Sequence, residues 1–309
     1  MIRDAFATLD RLGIAYDFRK GSRPTDDLLP GAEVDVMLER KRLTAVDRAL
    51  RSSGFYSLKA AGGDRHRFYV SFDEGGWKKI DIKLAPAPAT PRRALPPALA
   101  QALARIDALR PLRARRLGPV IAVLGPDGAG KGTVIAALRE QIPVGLSVLY
   151  MGSRPRRRPS GVGRRPQPEV GAIRESAFVV YRALHFWRLL LKAYLLSWAG
   201  QVVLCDRHPL EVLAIRPRTT RLGARVEAFV FRRLMPWPDR VILLNAPGEL
   251  LYARKGEESP GVLERWRRRY LDVFVPRGAV VISAVQPVER TVSEASAAVW
   301  SALKERRTW

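Results

Sequence analysis

Apolar positions in the first 84 residues recur at two different spacings along the chain. Helical spacing predicts helices at residues 4–12 and 43–53. Short runs rich in branched and aromatic residues predict strands at residues 15–19, 32–38, 68–72 and 80–84. The sequence DEGG at 73–76 is typical of a tight turn between the last two strands. Strands mixed with two helices predict a small α+β module.

The remainder of the chain shows a different order of elements. A helix at roughly 97–115 leads into a continuous apolar run, VIAVL, which is typical of a buried strand. Helical stretches then alternate with further strands, predicted at residues 146–150, 202–205, 241–244 and 279–282. This alternation predicts a three-layer α/β/α domain with a parallel sheet. A helix at 177–199 carries an apolar stripe, interpreted as core, at Val180, Leu184, Trp187, Leu191, Tyr194 and Trp198.

A proline-rich segment separates the two parts. Residues 84–98 contain five prolines, which disfavour both helix and sheet. The predicted organisation is therefore an α+β domain at 1–83, a linker at 84–98 and the larger domain at 99–309. A chain of 309 residues is long enough for two such domains.

The net charge of +24 is carried almost entirely by the second part. Residues 1–83 hold 16 basic and 13 acidic residues, net +3, whereas residues 84–309 hold 38 and 17, net +21. Such an excess suggests an anionic partner, although a bias towards arginine in the coding sequence explains part of it.

Cysteine content and hydropathy limit the compartment and exclude some classes of protein. The single cysteine, Cys205, excludes an intrachain disulfide framework and fits a reducing compartment. The N-terminus lacks the apolar core of a secretory signal, and charged residues interrupt the most apolar stretch, 178–205. We therefore expect a cytoplasmic protein without a transmembrane segment.

A glycine-rich sequence, GPDGAGKGT at 125–133, directly follows the strand that ends at residue 124. Its G-x-x-x-x-G-K spacing, with a strand before it and a helix after it, predicts a phosphate-binding loop. Glycines let backbone N–H groups converge on phosphate oxygens, and Lys131 adds a full positive charge. The predicted nucleotide contacts are Gly125, Asp127, Gly128, Ala129, Gly130, Lys131, Gly132 and Thr133. Thr133 is also expected on or near a Mg²⁺ ion.

A second acidic position follows the strand predicted at 202–205. Asp206 would lie at the carboxyl end of that strand, where open α/β sheets place ligands. Its neighbour Arg207 is suited to forked contact with a phosphate, and we expect Asp206 to be a second Mg²⁺ ligand. A surface Asp–Arg pair is the alternative for these two residues, and His208 is interpreted as a structural loop residue.

These motifs, together with LLYARKGEESPGVLERWRRRYLDV at 250–273, resemble the thymidylate kinase and deoxynucleoside kinase branch of P-loop phosphotransferases. The resemblance covers about 190 residues. It implies ATP and Mg²⁺ as cofactors, Asp127 at the acceptor hydroxyl, and the pair Asp206 and Arg207 at metal and acceptor. Arg254 and Lys255 fall where that family begins its lid. The implied catalytic residues are Lys131, Asp206, Arg207, Arg254 and Asp127.

The chain departs from that family after the second strand of the larger domain. In place of an Arg-Glu-Pro-Gly-Gly run it has YMGSRPRRR, and residues 151–168 contain no acid. The arginine-rich segment 154–165 is either a solvated loop or a site for an acceptor more anionic than thymidine monophosphate.

Acidic residues in the first domain resemble the metal ligands of the nucleotidyltransferase superfamily. Gly21-Ser22 precedes a strand in which Glu33 and Asp35 share one face, and Asp81 lies in another strand. The resemblance implies that Glu33, Asp35 and Asp81 bind divalent metal. An active transferase, a degenerate binding module and coincidence remain three open interpretations.

The sequence therefore predicts an ATP-dependent kinase that phosphorylates a nucleotide, a nucleoside or another small hydroxyl or phosphate acceptor. Two alternatives remain: a metal-dependent nucleotidyltransferase that uses the N-terminal acids, and a nucleic-acid-binding P-loop ATPase. The expected partners are ATP and an anionic small molecule, with a homodimer left open and nucleic acid not favoured.

Overall fold

The computed structural model describes residues 2–18, 33–59, 66–85, 113–114, 117–152, 171–215, 220–256 and 258–305. The fold is mixed α/β and contains two sheets, one in each part of the chain. The Gly21-Ser22 pair, the arginine-rich segment 154–165 and most of the predicted linker lie outside the described residues.

The first sheet has six strands and is built from both ends of the N-terminal part. Its elements are α1 (Ile2–Arg11), β1 (Asp17–Phe18), β2 (Glu33–Leu38), α2 (Leu43–Ser52), β3 (Tyr56–Lys59), β4 (His66–Asp73), β5 (Gly76–Leu84) and β6 (Arg113–Ala114). The strand order is β1-β2-β5-β4-β3-β6, and only the β2–β5 pair is parallel. Alternate residues of β2 and β5 pack on α1 and α2, so residues such as Asp35 and Asp81 point to the opposite face.

The second sheet has five parallel strands in the order β11-β10-β7-β9-β8. Its strands are β7 (Val120–Leu124), β8 (Leu146–Tyr150), β9 (Val202–Asp206), β10 (Arg240–Asn245) and β11 (Val280–Ser283). The helices are α3 (Lys131–Gln141), α4 (Ala172–Trp198), α5 (Val212–Ile215), α6 (Arg221–Phe229), α7 (Gly248–Lys255), α8 (Pro260–Phe274) and α9 (Val288–Glu305).

Helices cover both faces of the second sheet, as its apolar strands require. One core cluster joins the sheet to α3 and α9, and a second joins its other face to α4, α5 and α8. All five residues of β7, the central strand, are buried. The predicted parallel sheet with helices on both faces is therefore confirmed.

The two parts share one hydrophobic core. The face of the first sheet that carries Tyr56, Val70 and Trp77 belongs to the same buried cluster as α9. The ring of Trp77 meets that of Trp300 edge to face, with 5.8 Å between their centroids.

Three details differ from the sequence prediction. The helix predicted at 97–115 does not extend to its expected end, because residues 113–114 form a strand that pairs with β3 of the first sheet. The first strand is only two residues long, and β3 was not predicted. The stripe on α4 is wrong as core: Val180, Leu184, Trp187, Leu191 and Trp198 are exposed, while the buried face carries Val179, Ala183, Phe186 and Leu190.

Candidate functional site

The loop between β7 and α3 is held in a conformation that only glycine adopts easily. Gly125, Gly128 and Gly130 have φ values of 143°, 89° and 83°. A Cβ atom on Gly125 would lie 2.6 Å from the carbonyl oxygen of Leu244, and one on Gly128 would lie 2.7 Å from that of Leu251. The loop is therefore packed tightly between β10 and α7, and it leads directly into the N-terminus of an eleven-residue helix.

Lys131 is the first residue of α3 and folds back over the loop. Its side chain is buried, and Nζ donates hydrogen bonds to the carbonyl oxygens of Gly125 (2.7 Å) and Pro126 (2.8 Å). Burial lowers the pKa of Lys131, although the carboxylates of Glu211 and Asp127 oppose this shift. The ammonium group is thus placed inside the loop, within reach of any anion that the loop amides bind.

Asp127 lies at the centre of a cluster of cations. Its Oδ1 atom accepts a hydrogen bond from the guanidinium of Arg207 and lies 3.8 Å from Nζ of both Lys131 and Lys255. Burial raises the pKa of Asp127, but the charges of Arg207, Lys131 and Lys255 together bring it below its usual value. The carboxylate is therefore ionised at neutral pH.

Arg207 reaches this cluster from a strained backbone position at the end of β9. Its φ of 69° is the only positive value of a non-glycine residue among those described. A second hydrogen bond, from Nη1 to Oε2 of Glu211 (3.5 Å), holds the guanidinium between two carboxylates. Burial lowers the pKa of Arg207, but Glu211 and Asp127 together raise it, so it stays charged. Gly152 leaves it space, since a Cβ there would lie 2.6 Å from Cδ of Arg207.

Two buried residues of this network were not found by sequence reasoning. Burial raises the pKa of Glu211, against the lowering effect of Arg207 and Lys131. The hydroxyl of Tyr270, on α8, lies beside Glu211, and burial followed by the charge of Glu211 raises its pKa well above 10. Glu211 stands four residues after Arg207, a spacing that could have suggested the pair, whereas Tyr270 is too distant in sequence for any local pattern.

His208 has the structural role that the sequence suggested. It is buried, and its Nδ1 accepts a hydrogen bond from the backbone N–H of Leu210 (3.3 Å) at the start of the short helical turn Pro209–Glu211. Burial lowers its pKa to about 3. The imidazole is therefore neutral at physiological pH.

The two predicted magnesium ligands have different surroundings. Asp206 ends β9 beside Val123 of the central strand, and among the described residues its carboxylate makes no hydrogen bond or ion pair. Its oxygens are thus available to a cation. The side chain of Thr133 is exposed, and two residues along a helix place it roughly 200° around the axis from Lys131. Asp206 therefore fits a hard cation better than Thr133 does.

The two predicted lid residues are separated. Lys255 faces Asp127, as described above, but Arg254 donates from Nη2 to the backbone carbonyl oxygen of Ala284 (2.9 Å), just after β11. The structure thus brings together Asp127, Lys131, Arg207 and Lys255 near Asp206, and it leaves Arg254 on the β11 side of α7.

The three predicted N-terminal ligands do come together. Glu33, Asp35 and Asp81 each offer one carboxylate oxygen, and these atoms lie within 4.8 Å of one another. Asp35 and Asp81 are direct neighbours across β2 and β5. Nδ1 of His66 lies 3.0 Å from Asp81, and Nζ of Lys79 lies 2.9 Å from Glu33. Burial raises the pKa of Asp81, and the other two carboxylates raise it further, against the lowering effect of His66.

No protein-family model matches this chain, and a search of curated proteins finds none similar to it. Among the described residues, no helix combines the length and hydropathy needed to cross a membrane.

Proposed function

We propose that the chain is an ATP-dependent phosphotransferase of the thymidylate kinase-like type, which transfers the γ-phosphate of ATP to a small anionic acceptor. The observation that carries the proposal is the placement of buried Lys131 inside a glycine loop at the N-terminus of α3. Loop amides, a helix N-terminus and a lysine ammonium group together form a site for the β- and γ-phosphates.

Each residue of the cluster supplies one part of this chemistry. Phosphoryl transfer depends mainly on positioning and on neutralising the charge of the transferred group. Lys131 would exchange its bonds to the loop carbonyls for phosphate oxygens. Arg207 and Lys255 would neutralise charge between donor and acceptor, and Asp206 would hold Mg²⁺, which bridges phosphate oxygens when bound. Arg254 takes part only if it leaves the carbonyl of Ala284.

The state of Asp127 defines its role. A carboxylate with a lowered pKa and a bound Arg207 is a weak base. Asp127 would therefore orient the acceptor hydroxyl and Arg207, instead of removing a proton before transfer. An acceptor that already carries a phosphate fits the excess of cations around this carboxylate.

The acceptor can be identified by mass spectrometry. The purified chain is incubated with ATP and Mg²⁺ and with pools of nucleosides, nucleotides, sugars and sugar phosphates. We expect one acceptor to gain the mass of a phosphoryl group while ADP accumulates, and we expect no product from the Asp206→Asn variant. Transfer to no pool, together with ATP turnover that does not depend on any pool, would favour an ATPase such as the nucleic-acid-binding alternative.

The N-terminal carboxylates support a second candidate, metal-dependent nucleotidyl transfer. Three carboxylate oxygens within 4.8 Å of one another fit a site for one or two divalent cations. The full chain is the appropriate test protein, because the sheet that holds these acids shares its core with α9. In the Lys131→Met background, we expect release of pyrophosphate from a nucleoside triphosphate that disappears with Asp35→Asn. Equal pyrophosphate release from both proteins would reject this candidate.

The cytoplasm remains our proposed compartment. Its support is that the one cysteine of the chain, Cys205, is a buried free thiol in the structure.

A further inference from the structure

Helix α4 is apolar on two opposite faces, and only one of them is covered. The inward face packs on the second sheet through Val179, Ala183, Phe186, Leu190 and Ala193. The outward side exposes nine large apolar residues: Ile173, Phe178, Val180, Tyr181, Leu184, Trp187, Leu191, Leu195 and Trp198. A helix that is apolar nearly all round is normally buried between two layers.

The uncovered area is too large for the surface of an isolated monomer. Ile173, Tyr181 and Trp198 are 82%, 70% and 64% exposed, and the other six are 44% exposed or more. At about 200 Å² for a large side chain, the nine residues present roughly 1,000 Å² of apolar surface. The largest patch of a typical monomer is about 300–600 Å². A standard interface buries about 800 Å² on each partner.

The spacing of the outward residues fits packing against another helix. From Ile173 to Leu191 the exposed apolar positions are 173, 177, 180, 184, 187 and 191, which alternate steps of four and three. This mean period of 3.5 residues is that of a seam in which side chains interdigitate with a facing helix. The neighbouring α6 does not cover the seam, since its segment contacts Glu175, Arg182 and Phe186 on another side of α4.

Other parts of the chain are poor candidates to cover this seam. Residues 153–170 contain only two large aliphatic side chains, Val162 and Val170. Residues 86–112 are joined at both ends to strands of the first sheet. That sheet packs with α3 and α9, on the opposite face of the second sheet from α4.

We propose that the seam of α4 is a self-association surface, on which a second copy of the chain packs its own α4. The exposed cations of this helix, Arg174, Arg188 and Lys192, lie to one side of the seam and would remain at the rim. The only acid of α4, Glu175, is buried and bound to Thr220, so it cannot neutralise them. Association is therefore apolar in origin and opposed by like charges.

The state of the full chain in solution tests this proposal directly. Analytical ultracentrifugation should show a dimer at micromolar concentration. Raising the NaCl concentration should leave the dimer unchanged or strengthen it, because salt screens the repulsion between two strongly basic copies. A monomer across this range would overturn the proposal. Vesicles of phosphatidylcholine with phosphatidylglycerol provide the contrast: a monomer that binds them, less tightly as salt rises, would identify a membrane surface instead.

A charge-insertion pair locates the interface. Leu184→Glu with Leu191→Glu places two charges in the middle of the seam and should weaken dimerisation by at least about 100-fold. The control is Leu12→Glu with Val288→Glu, two exposed apolar residues on other elements. It should leave the dimer intact. A dimer that tolerates the α4 pair as well as the control would overturn the proposal.

Cysteine substitution along the seam maps the pairing without depending on destabilising variants. The one native thiol, Cys205, is buried and does not interfere. Single cysteines at 177, 180, 184, 187 and 191 are oxidised in the full chain. Disulfide-linked dimers at the one or two positions nearest the two-fold axis indicate antiparallel α4 helices, and linkage along the whole series indicates parallel ones. Linkage at none of them would overturn the proposal.

Discussion

At the scale of single residues, the chemistry of the candidate site depends on a chain of buried charges. Arg207 lies between Asp127 and Glu211, and Glu211 lies beside Tyr270. Each guanidinium contact fixes the direction in which the positive charge faces. The strained backbone of Arg207 is consistent with a residue whose position is required for function.

Glu211→Gln should disturb the position of Arg207 while leaving the protein folded. The variant keeps the shape of the side chain but removes the charge that holds Nη1, so we expect the turnover rate to fall by about tenfold or more. The free energy of unfolding should change by no more than about 1–2 kcal/mol, because a buried charge is also removed.

Glu227→Gln is the matched control for that variant. Glu227 is equally buried and pairs with Arg182 (3.9 Å), away from the glycine loop. Its turnover rate should equal that of the wild type. Equal rates for both variants, measured as ADP formation, would exclude a positioning role for Glu211.

His208 should make stability depend on pH. Its folded pKa of about 3 lies below the usual unfolded value of about 6.5. As the pH falls below about 6.5, the unfolded chain binds a proton that the folded protein cannot bind. This loses about 1.4 kcal/mol of stability per pH unit, down to about pH 3.

Replacement with asparagine isolates the contribution of His208. His208→Asn keeps an acceptor for the N–H of Leu210 and should reduce the slope of unfolding free energy against pH by up to one proton between pH 6.5 and 4.5. The exposed His185 provides the control, since His185→Asn should leave the slope as it is. Urea unfolding at several pH values measures both, and identical slopes for wild type and His208→Asn would contradict the assignment.

At the scale of elements, the strand-loop-helix unit from β7 to α3 sets the geometry of the site. Gly128 and Gly132 differ in what a side chain would meet. Gly128 has a φ of 89° and almost touches Leu251, whereas a Cβ on Gly132, in the first turn of α3, meets nothing within 4 Å.

Alanine should therefore have opposite effects at these two glycines. Gly128→Ala should lower the free energy of unfolding by about 1–3 kcal/mol, from backbone strain and contact with α7. Gly132→Ala should raise it by about 0.5–1 kcal/mol, because alanine loses less entropy in a helix. Urea unfolding without nucleotide measures both values. Equal effects of the two substitutions would show that the loop conformation is not as described.

Elements with a local signal were predictable, and contacts between distant elements were not. The glycine spacing and its flanking strand and helix lie within about 20 residues, so the loop could be found from sequence alone. The contact between Asp127 and Arg207 joins residues 80 positions apart, and no local pattern indicates it. For α4, periodicity identified an apolar face but could not choose between two such faces. Glu33, Asp35 and Asp81 were found because side chains on parallel strands alternate predictably.

At the scale of the whole molecule, the two parts are joined by a continuous core. Trp77 of the first sheet and Trp300 of α9 contact each other in it, and both are buried. Strand β6 also returns the chain to the first sheet from beyond the predicted linker. The first part is therefore expected to unfold together with the second.

Truncation of the tryptophan pair tests that coupling. Trp77→Ala and Trp300→Ala should each lower the free energy of unfolding by about 3–5 kcal/mol. The double variant should lose less than the sum, because both truncations open the same cavity. Urea unfolding followed by circular dichroism measures all three. Exactly additive losses, or two separate transitions in the wild type, would indicate two independent cores.

The central claim is that Lys131 and its loop support transfer of the γ-phosphate of ATP, and ADP formation by the full chain tests it most directly. The wild type, with Mg²⁺ and the acceptor pools, is compared with Lys131→Met, which keeps the aliphatic part of the side chain. We predict that the rate of ADP formation falls by at least about 100-fold in Lys131→Met, with far-ultraviolet circular dichroism unchanged. ADP formation at the wild-type rate in a folded Lys131→Met protein would contradict the account.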